Sequence, residues 1–214
     1  MSVTFYCGSG SPYAWRVWLG LEHKAIPYEL RLLSFSAGDT RTPEFIKLNP
    51  RNKVPVLVDD GYVLYESAAI LEYLDDRFPD APKLFPGNAS ARGTIRQLIR
   101  EIDEYVSIPS HRLTNQLFFN PRERWVQSEI HDDVQACKAE LKYFENQLLD
   151  DYLAGPISAA DFSLYPRLAI LISLSRPLSR LGMEIQIPPK LTAWMRRIER
   201  LPYFDKTYPP SWRR

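Results

Sequence analysis

The sequence predicts an α/β domain over residues 1–80, a linker over 81–89 and an all-α domain over 90–214. Three observations carry that prediction. Apolar residues alternate at the start and then switch to helical spacing, the pattern of a strand followed by a helix. Two short apolar runs flank Asp60-Gly61, a pair suited to the tight turn of a β-hairpin. Beyond the stretch PDAPKLFPGNAS the period-two pattern does not return, and apolar residues recur every three or four positions.

Each element follows in order. Val3, Phe5 and Cys7 alternate with Thr4 and Tyr6 and predict the first strand; Ala14, Val17, Trp18 and Leu21 then lie on one helical face. YELRLL alternates again. TPEFIKL supplies a second helix, with Thr42 as N-cap and Pro43 at the first helical position, where its missing amide costs nothing. VPVLVDDGYVLY reads as the hairpin, and ESAAILEYLDDRF as a helix with Ile70 or Leu71, Leu74 and Phe78 facing inward. The order β-α-β-α-β-β-α is a small sheet with helices packed on it.

In the second half, residues 90–118 and 121–150 are expected to be two long helices. In the latter, Val126, Ile130, Val134, Cys137, Leu141, Phe144 and Leu148 make the apolar stripe, Asn120 is the expected cap, Pro121 the first residue and Glu123 the third. In ISAADF, Ser158 and Asp161 form a variant capping box, with Ile157 and Phe162 spaced as a hydrophobic staple. Leu191, Trp194, Met195 and Ile198 mark a final helix.

Composition excludes several classes of function. With 27 Lys and Arg against 26 Asp and Glu, the net charge of +1 provides no basic field for nucleic acid. No apolar run is long enough to span a bilayer, so no membrane insertion is expected. The opening VTFYC lacks the charged segment and apolar run of a secretory signal, and the two cysteines, Cys7 and Cys137, do not make a disulfide framework; the expected location is cytoplasmic. His23, His111 and His131 are scattered, without the spacing of a metal site or a triad, so no metal is expected.

The chemistry concentrates in CGSGSPYAWRV, residues 7–17. Glycine and proline suit a turn there and one serine can cap the following helix, which leaves a second hydroxyl to explain. SPYAWRV, NPRNKVPVL, YESAAILEYLDDRFP and ISAADFSLYP together resemble the glutathione transferase superfamily, its serine-type branch, over nearly the whole chain. The resemblance implies a thioredoxin-like N-terminal domain that holds glutathione as co-substrate, a helical domain that contributes the pocket for an electrophile, and a homodimer.

It also implies roles for particular residues. Val54-Pro55 is expected as a cis peptide that presents Val54 to the cysteinyl backbone of glutathione; an X-Pro bond makes that geometry accessible. Glu66 would meet the γ-glutamyl ammonium and Ser67 the carboxylate beside it, although Ser67 as a plain N-cap is the competing reading. Arg41 and Lys53 are candidates for the glycine carboxylate. Ser11 is the expected thiolate activator, with Ser9 and Tyr6 as alternatives and an ordinary helix cap as the competing reading for Ser11. Members that form mixed disulfides carry cysteine where Ser11 stands, which disfavours glutaredoxin-like reduction; Cys7 reads as core. By analogy the electrophile pocket is assigned to Tyr13, Tyr105, Pro109, Arg112 and Leu113.

The implied activity is attack of the glutathione thiolate on an electrophilic carbon. A glutathione-dependent isomerase or dehalogenase is one alternative, since SPYAWRV is similar to the SSCSWRV of the zeta, maleylacetoacetate isomerase branch without its Ser-Ser-Cys. A non-catalytic binding or assembly module is the other.

Overall fold

The computed structural model describes residues 2–148 and 150–212. Residues up to Pro86, together with those from Leu201 onwards, form one compact unit, and Gly87–Arg200 form another.

The first unit runs β1 (Val3–Gly8), α1 (Pro12–His23), β2 (Glu29–Leu33), α2 (Pro43–Leu48), β3 (Val56–Asp59), β4 (Tyr62–Tyr65) and α3 (Ser67–Arg77). The strands lie in the order β2-β1-β3-β4, with β1 parallel to β2 and antiparallel to β3, and β4 antiparallel to β3. This mixed sheet with its helices is the thioredoxin-like architecture. Asp60 and Gly61 join β3 to β4 with φ of 47° and 90°, the two positive values that an Asp-Gly turn supplies and that match the twist of the strands. Phe5, Leu19, Leu57, Ile70, Leu71 and Leu74 fill the core. Thr42 caps α2 by accepting the Phe45 amide at 3.3 Å.

At the C-terminal end of α1, Lys24 pairs with Asp75 of α3 at 3.0 Å, and both side chains are buried. Asp75 also accepts the amides of Leu84 and Phe85, while Lys24 donates to the Pro82 carbonyl. These bonds pack residues 82–85, part of the segment 81–89 expected as a linker, within the first unit.

In the second unit, α4 (Ala89–Glu101) continues through a π turn (Ile102–Val106) into α5 (Ser107–Thr114) and a second π turn (Asn115–Phe119). Pro109 explains the first: it has no amide to offer the carbonyl four residues back, and just upstream the Ser107 amide bonds the Ile102 carbonyl, five residues back. α6 (Gln127–Gln147), α7 (Ala159–Ser173), α8 (Ser175–Ser179) and α9 (Pro189–Glu199) complete the unit.

The start of α6 corrects the expected helix over 121–150, of which position 149 lies outside the described residues. Asn120 does not cap it. Residues Arg122–Arg124 form a single 3-10 turn, Trp125 and Val126 are extended, and the Trp125 indole N–H donates to the Asn120 carbonyl. The Val126 amide is taken by the Gln116 side chain at 3.0 Å, and the helix begins after it. The capping box at α7 forms as its sequence predicts: Ser158 accepts the Ala160 amide and Asp161 accepts the Ser158 amide.

A short closing helix, α10 (Phe204–Thr207), departs from the expected extent of the helical half. It clusters with the first unit because Phe204, Tyr208 and Trp212 surround the ring of Trp15.

Candidate active site

Strand register brings the candidate residues to one end of the sheet. Tyr6 of β1 pairs with Val56 of β3, and Val56 with Tyr65 of β4. Two residues further along the same direction come Gly8, Val54 and Ser67. Because β3 runs opposite to its neighbours, the exit of β1, the entry to β3 and the exit of β4 share this edge, with the N-termini of α1 and α3 opening from it.

Ser11 is the N-cap of α1. Its Oγ accepts the Ala14 amide at 3.3 Å, its own amide donates to the Gly8 carbonyl at 3.0 Å, and Pro12 is the first helical residue. The cap and the thiolate donor are therefore compatible, contrary to the opposition expected between them: capping uses a lone pair of the hydroxyl and leaves its proton to donate. An N–H donating into the oxygen also polarises that O–H. No acidic residue occupies the first turn of α1, so the positive end of the helix is left to an incoming anion.

Val54-Pro55 is cis, as the sequence implies. β3 begins at Val56, so Val54 lies outside the ladder. Glu66, exposed, is the N-cap residue of α3 with φ 73°, a backbone conformation that non-glycine residues rarely hold, and it makes no side-chain cap bond.

Ser67 is not a cap. Its Oγ is buried and accepts two bonds from the Arg16 guanidinium, from Nε at 2.9 Å and from Nη2 at 2.6 Å. With its lone pairs engaged by a cation, the hydroxyl keeps its proton to donate, and a carboxylate docking on it would meet both that donor and the buried positive charge. Arg16 is only 4 % exposed and lies under the Tyr13 ring, 5.3 Å from its centroid. Sequence reasoning missed Arg16. The Tyr13-Arg16 spacing was legible as one helical turn, whereas the bond to Ser67 spans 51 positions and has no local signature.

The remaining candidates separate. Lys53 is exposed, and its carbonyl accepts the Asn49 side chain at 2.7 Å. Arg41 is exposed and ends a 3-10 turn (Asp39–Arg41). Tyr6 lies in β1 with its ring 6.1 Å from that of Phe45. Ser9 sits in the turn between β1 and α1. Cys7 is buried, and burial pushes its thiol up to about 12, which makes it a core residue and not a nucleophile. Cys137 is likewise buried and pushed up to about 12.

In the helical unit, Tyr105 is 56 % exposed in the first π turn. Leu113 is 0 % exposed and Pro109 is buried, so both pack in the unit's interior. Arg112 donates through Nε to Asp133 at 2.9 Å, and its Nη2 binds the same carboxylate. Among the described residues no group of His, Cys, Asp and Glu could hold a metal ion, and no helix is long and apolar enough to cross a membrane.

Comparisons with known proteins bear on the family and the fold. Residues 10–77 match the family model of the glutathione S-transferase N-terminal domain. The chain is 30 % identical to probable maleylacetoacetate isomerase 2 of Drosophila melanogaster over 73 % of its own length and 69 % of that protein. It is 28 % identical to glutathione S-transferase A of Pleuronectes platessa over 98 % and 92 % of the two chains. The crystal structure of a glutathione transferase from Burkholderia graminis, with two glutathione molecules bound per subunit, superposes with a TM-score of 0.85 at 25 % identity, covering 100 % of this chain and 90 % of that one. The chain belongs to the glutathione transferase superfamily.

Proposed function

We propose that this glutathione transferase holds its co-substrate along the sheet edge just described and activates the thiol with Ser11. The reading gives the γ-glutamyl carboxylate to Ser67, backed by Arg16 and the N-terminus of α3, and the neighbouring ammonium to Glu66. Val54 pairs with the cysteinyl backbone, and Arg41 and Lys53 take the glycine carboxylate. The sulfur then sits at the N-terminus of α1, where the Ser11 O–H and the helix dipole favour the anion. A free thiol has a pKa near 8.5, and each unit of lowering requires about 1.4 kcal/mol of preferential anion stabilisation.

The observation that carries this reading is the Ser11 hydroxyl, which caps α1 with a lone pair and keeps its proton for an acceptor. The thiolate attacks an electrophilic carbon; a C–S bond forms, and the displaced electron pair leaves with a leaving group or passes to a conjugated carbonyl, where a proton neutralises it. Tyr13, half-buried in the first turn of α1 beside Ser11, is the aromatic candidate for contact with the electrophile. The protein is expected to act as a cytoplasmic homodimer.

A second reading uses the same thiolate reversibly. Relatives named as probable maleylacetoacetate isomerases favour it: addition to a double bond, rotation and elimination would return glutathione unchanged. A panel joining an activated aryl halide with a cis-enone diacid separates the two. Conjugate formation with the aryl halide supports the transferase reading; isomerisation with no consumption of glutathione supports the second. Glutathione binding with turnover of neither contradicts both and leaves a binding module.

A further inference from the structure

Trp15 closes the turn that carries Ser11: its amide donates to the Ser11 carbonyl at 2.9 Å, completing the first hydrogen-bonded turn of α1. The Trp15 indole is buried, and the C-terminal segment encloses it. The indole N–H donates to Thr207 Oγ1 at 3.0 Å. Thr207 is fully buried, and its own proton goes to the Phe204 carbonyl at 2.9 Å, so the direction of the indole bond is fixed. Phe204, Tyr208 and Trp212 complete the enclosure, with ring centroids 6.2, 5.6 and 5.6 Å from that of Trp15. Further along α1, Lys206 pairs with Glu22 at 2.7 Å and Tyr203 meets His23 Nδ1 at 2.8 Å. The segment thus grips α1 along its length, and its contact with Trp15 lies in the turn of the candidate catalytic serine.

We infer that the C-terminal segment positions Ser11, acting through Thr207 and Trp15 to fix the first turn of α1 and with it the direction of the Ser11 O–H; this rests on the reading of Ser11 as the thiolate donor. Hydrogen bonds weaken steeply when the donor angle is lost, so a loosened turn costs anion stabilisation without removing any group that touches glutathione. Thr207 and Trp15 are positioning residues in this scheme.

The test compares Thr207→Val, which keeps the shape and removes the acceptor, with Thr207→Ser, which restores it, and with Trp15→Phe, which removes the donor. Tyr73→Phe serves as a control that breaks a hydrogen bond to Asp59 elsewhere in the same unit. Amide hydrogen exchange at Ala14 and Trp15 reads the turn directly; kcat, the KM for glutathione and the pKa of the bound thiol read its consequence. In Thr207→Val and Trp15→Phe, exchange at both amides is expected to quicken about tenfold, kcat to fall about tenfold and the thiol pKa to rise, with KM within about twofold. Thr207→Ser should behave as wild type, and Tyr73→Phe should move none of these readouts.

Unchanged exchange in a folded Thr207→Val overturns the inference, as does faster exchange with kcat and thiol pKa unmoved, or an equal response from Tyr73→Phe. A wild type that leaves the thiol unshifted refutes the role of Ser11 instead, and the exchange data alone then decide whether the segment holds the turn.

Discussion

Ser11 and Ser158 are the same residue in the same role, each the N-cap of a helix, one in the α/β unit and one in the helical unit. Ser158 is fully buried; its oxygen accepts the Ala160 amide and its proton goes to Asp161 at 3.1 Å. Asp161 in turn accepts the amides of Ser158 and Leu153 and the indole N–H of Trp194. Every polar group there is consumed by another. Ser11 accepts its helix amide and, among the described residues, gives its proton to nothing. The helical unit uses its cap for stability, and the α/β unit leaves the same hydroxyl available for chemistry.

The comparison breaks most readily at Asp161. Asp161→Ala strands several buried donors at once, each costing about 1–3 kcal/mol, so unfolding of the helical unit by urea should show a loss above about 3 kcal/mol. A loss under about 1 kcal/mol would mean that the box is ornamental. Next comes Arg16, a buried cation bound to Ser67 of the proposed glutathione site. Arg16→Met should weaken glutathione binding by calorimetry about ten- to a hundredfold, with a smaller effect on kcat. Arg16→Lys, which keeps the charge without the fork, should recover only part of it.

A third test concerns the other end of α1. Burial raises the Asp75 pKa, but the Leu84 and Phe85 amides and Lys24 outweigh it and hold the carboxyl below its ordinary value. The unfolded state therefore takes up a proton first on acidification. The contribution of Asp75 is fully present above about pH 4 and is lost as pH falls through the lower folded value. Denaturant midpoints measured between neutral and acid pH should fall more steeply in wild type than in Asp75→Asn; parallel profiles would contradict the assignment. The smallest effect is on stability at the caps themselves. Ser11→Gly should cost only a few tenths of a kcal/mol, whereas Ser158→Gly, which also withdraws a donor from a buried carboxylate, should cost about 1–3 kcal/mol. Equal losses would erase the distinction between the two serines.

Much of this was legible in the sequence because it is local. The Asp60-Gly61 turn, Thr42 and Pro43 at α2, and Ser158 with Asp161 at α7 each announce themselves within four residues. Asn120 and Pro121 made an equally good local signal and failed, because Gln116 took the Val126 amide and Trp125 bonded back to Asn120. What stayed hidden is long-range. The bond from Arg16 to Ser67 and the bond from Trp15 to Thr207 join segments 51 and 192 positions apart. Leu113, assigned to the electrophile pocket by analogy, is fully buried, and apolar periodicity does not say which apolar face ends up enclosed.

The most direct measurement is an ultraviolet difference titration of glutathione bound to wild type and to Ser11→Ala, with binding verified by calorimetry. The account predicts a bound-thiol pKa at least about one unit below that of free thiol in wild type. It predicts a return toward the free value in Ser11→Ala while glutathione still binds. A thiol equally depressed in both proteins, or unshifted in wild type, would contradict it.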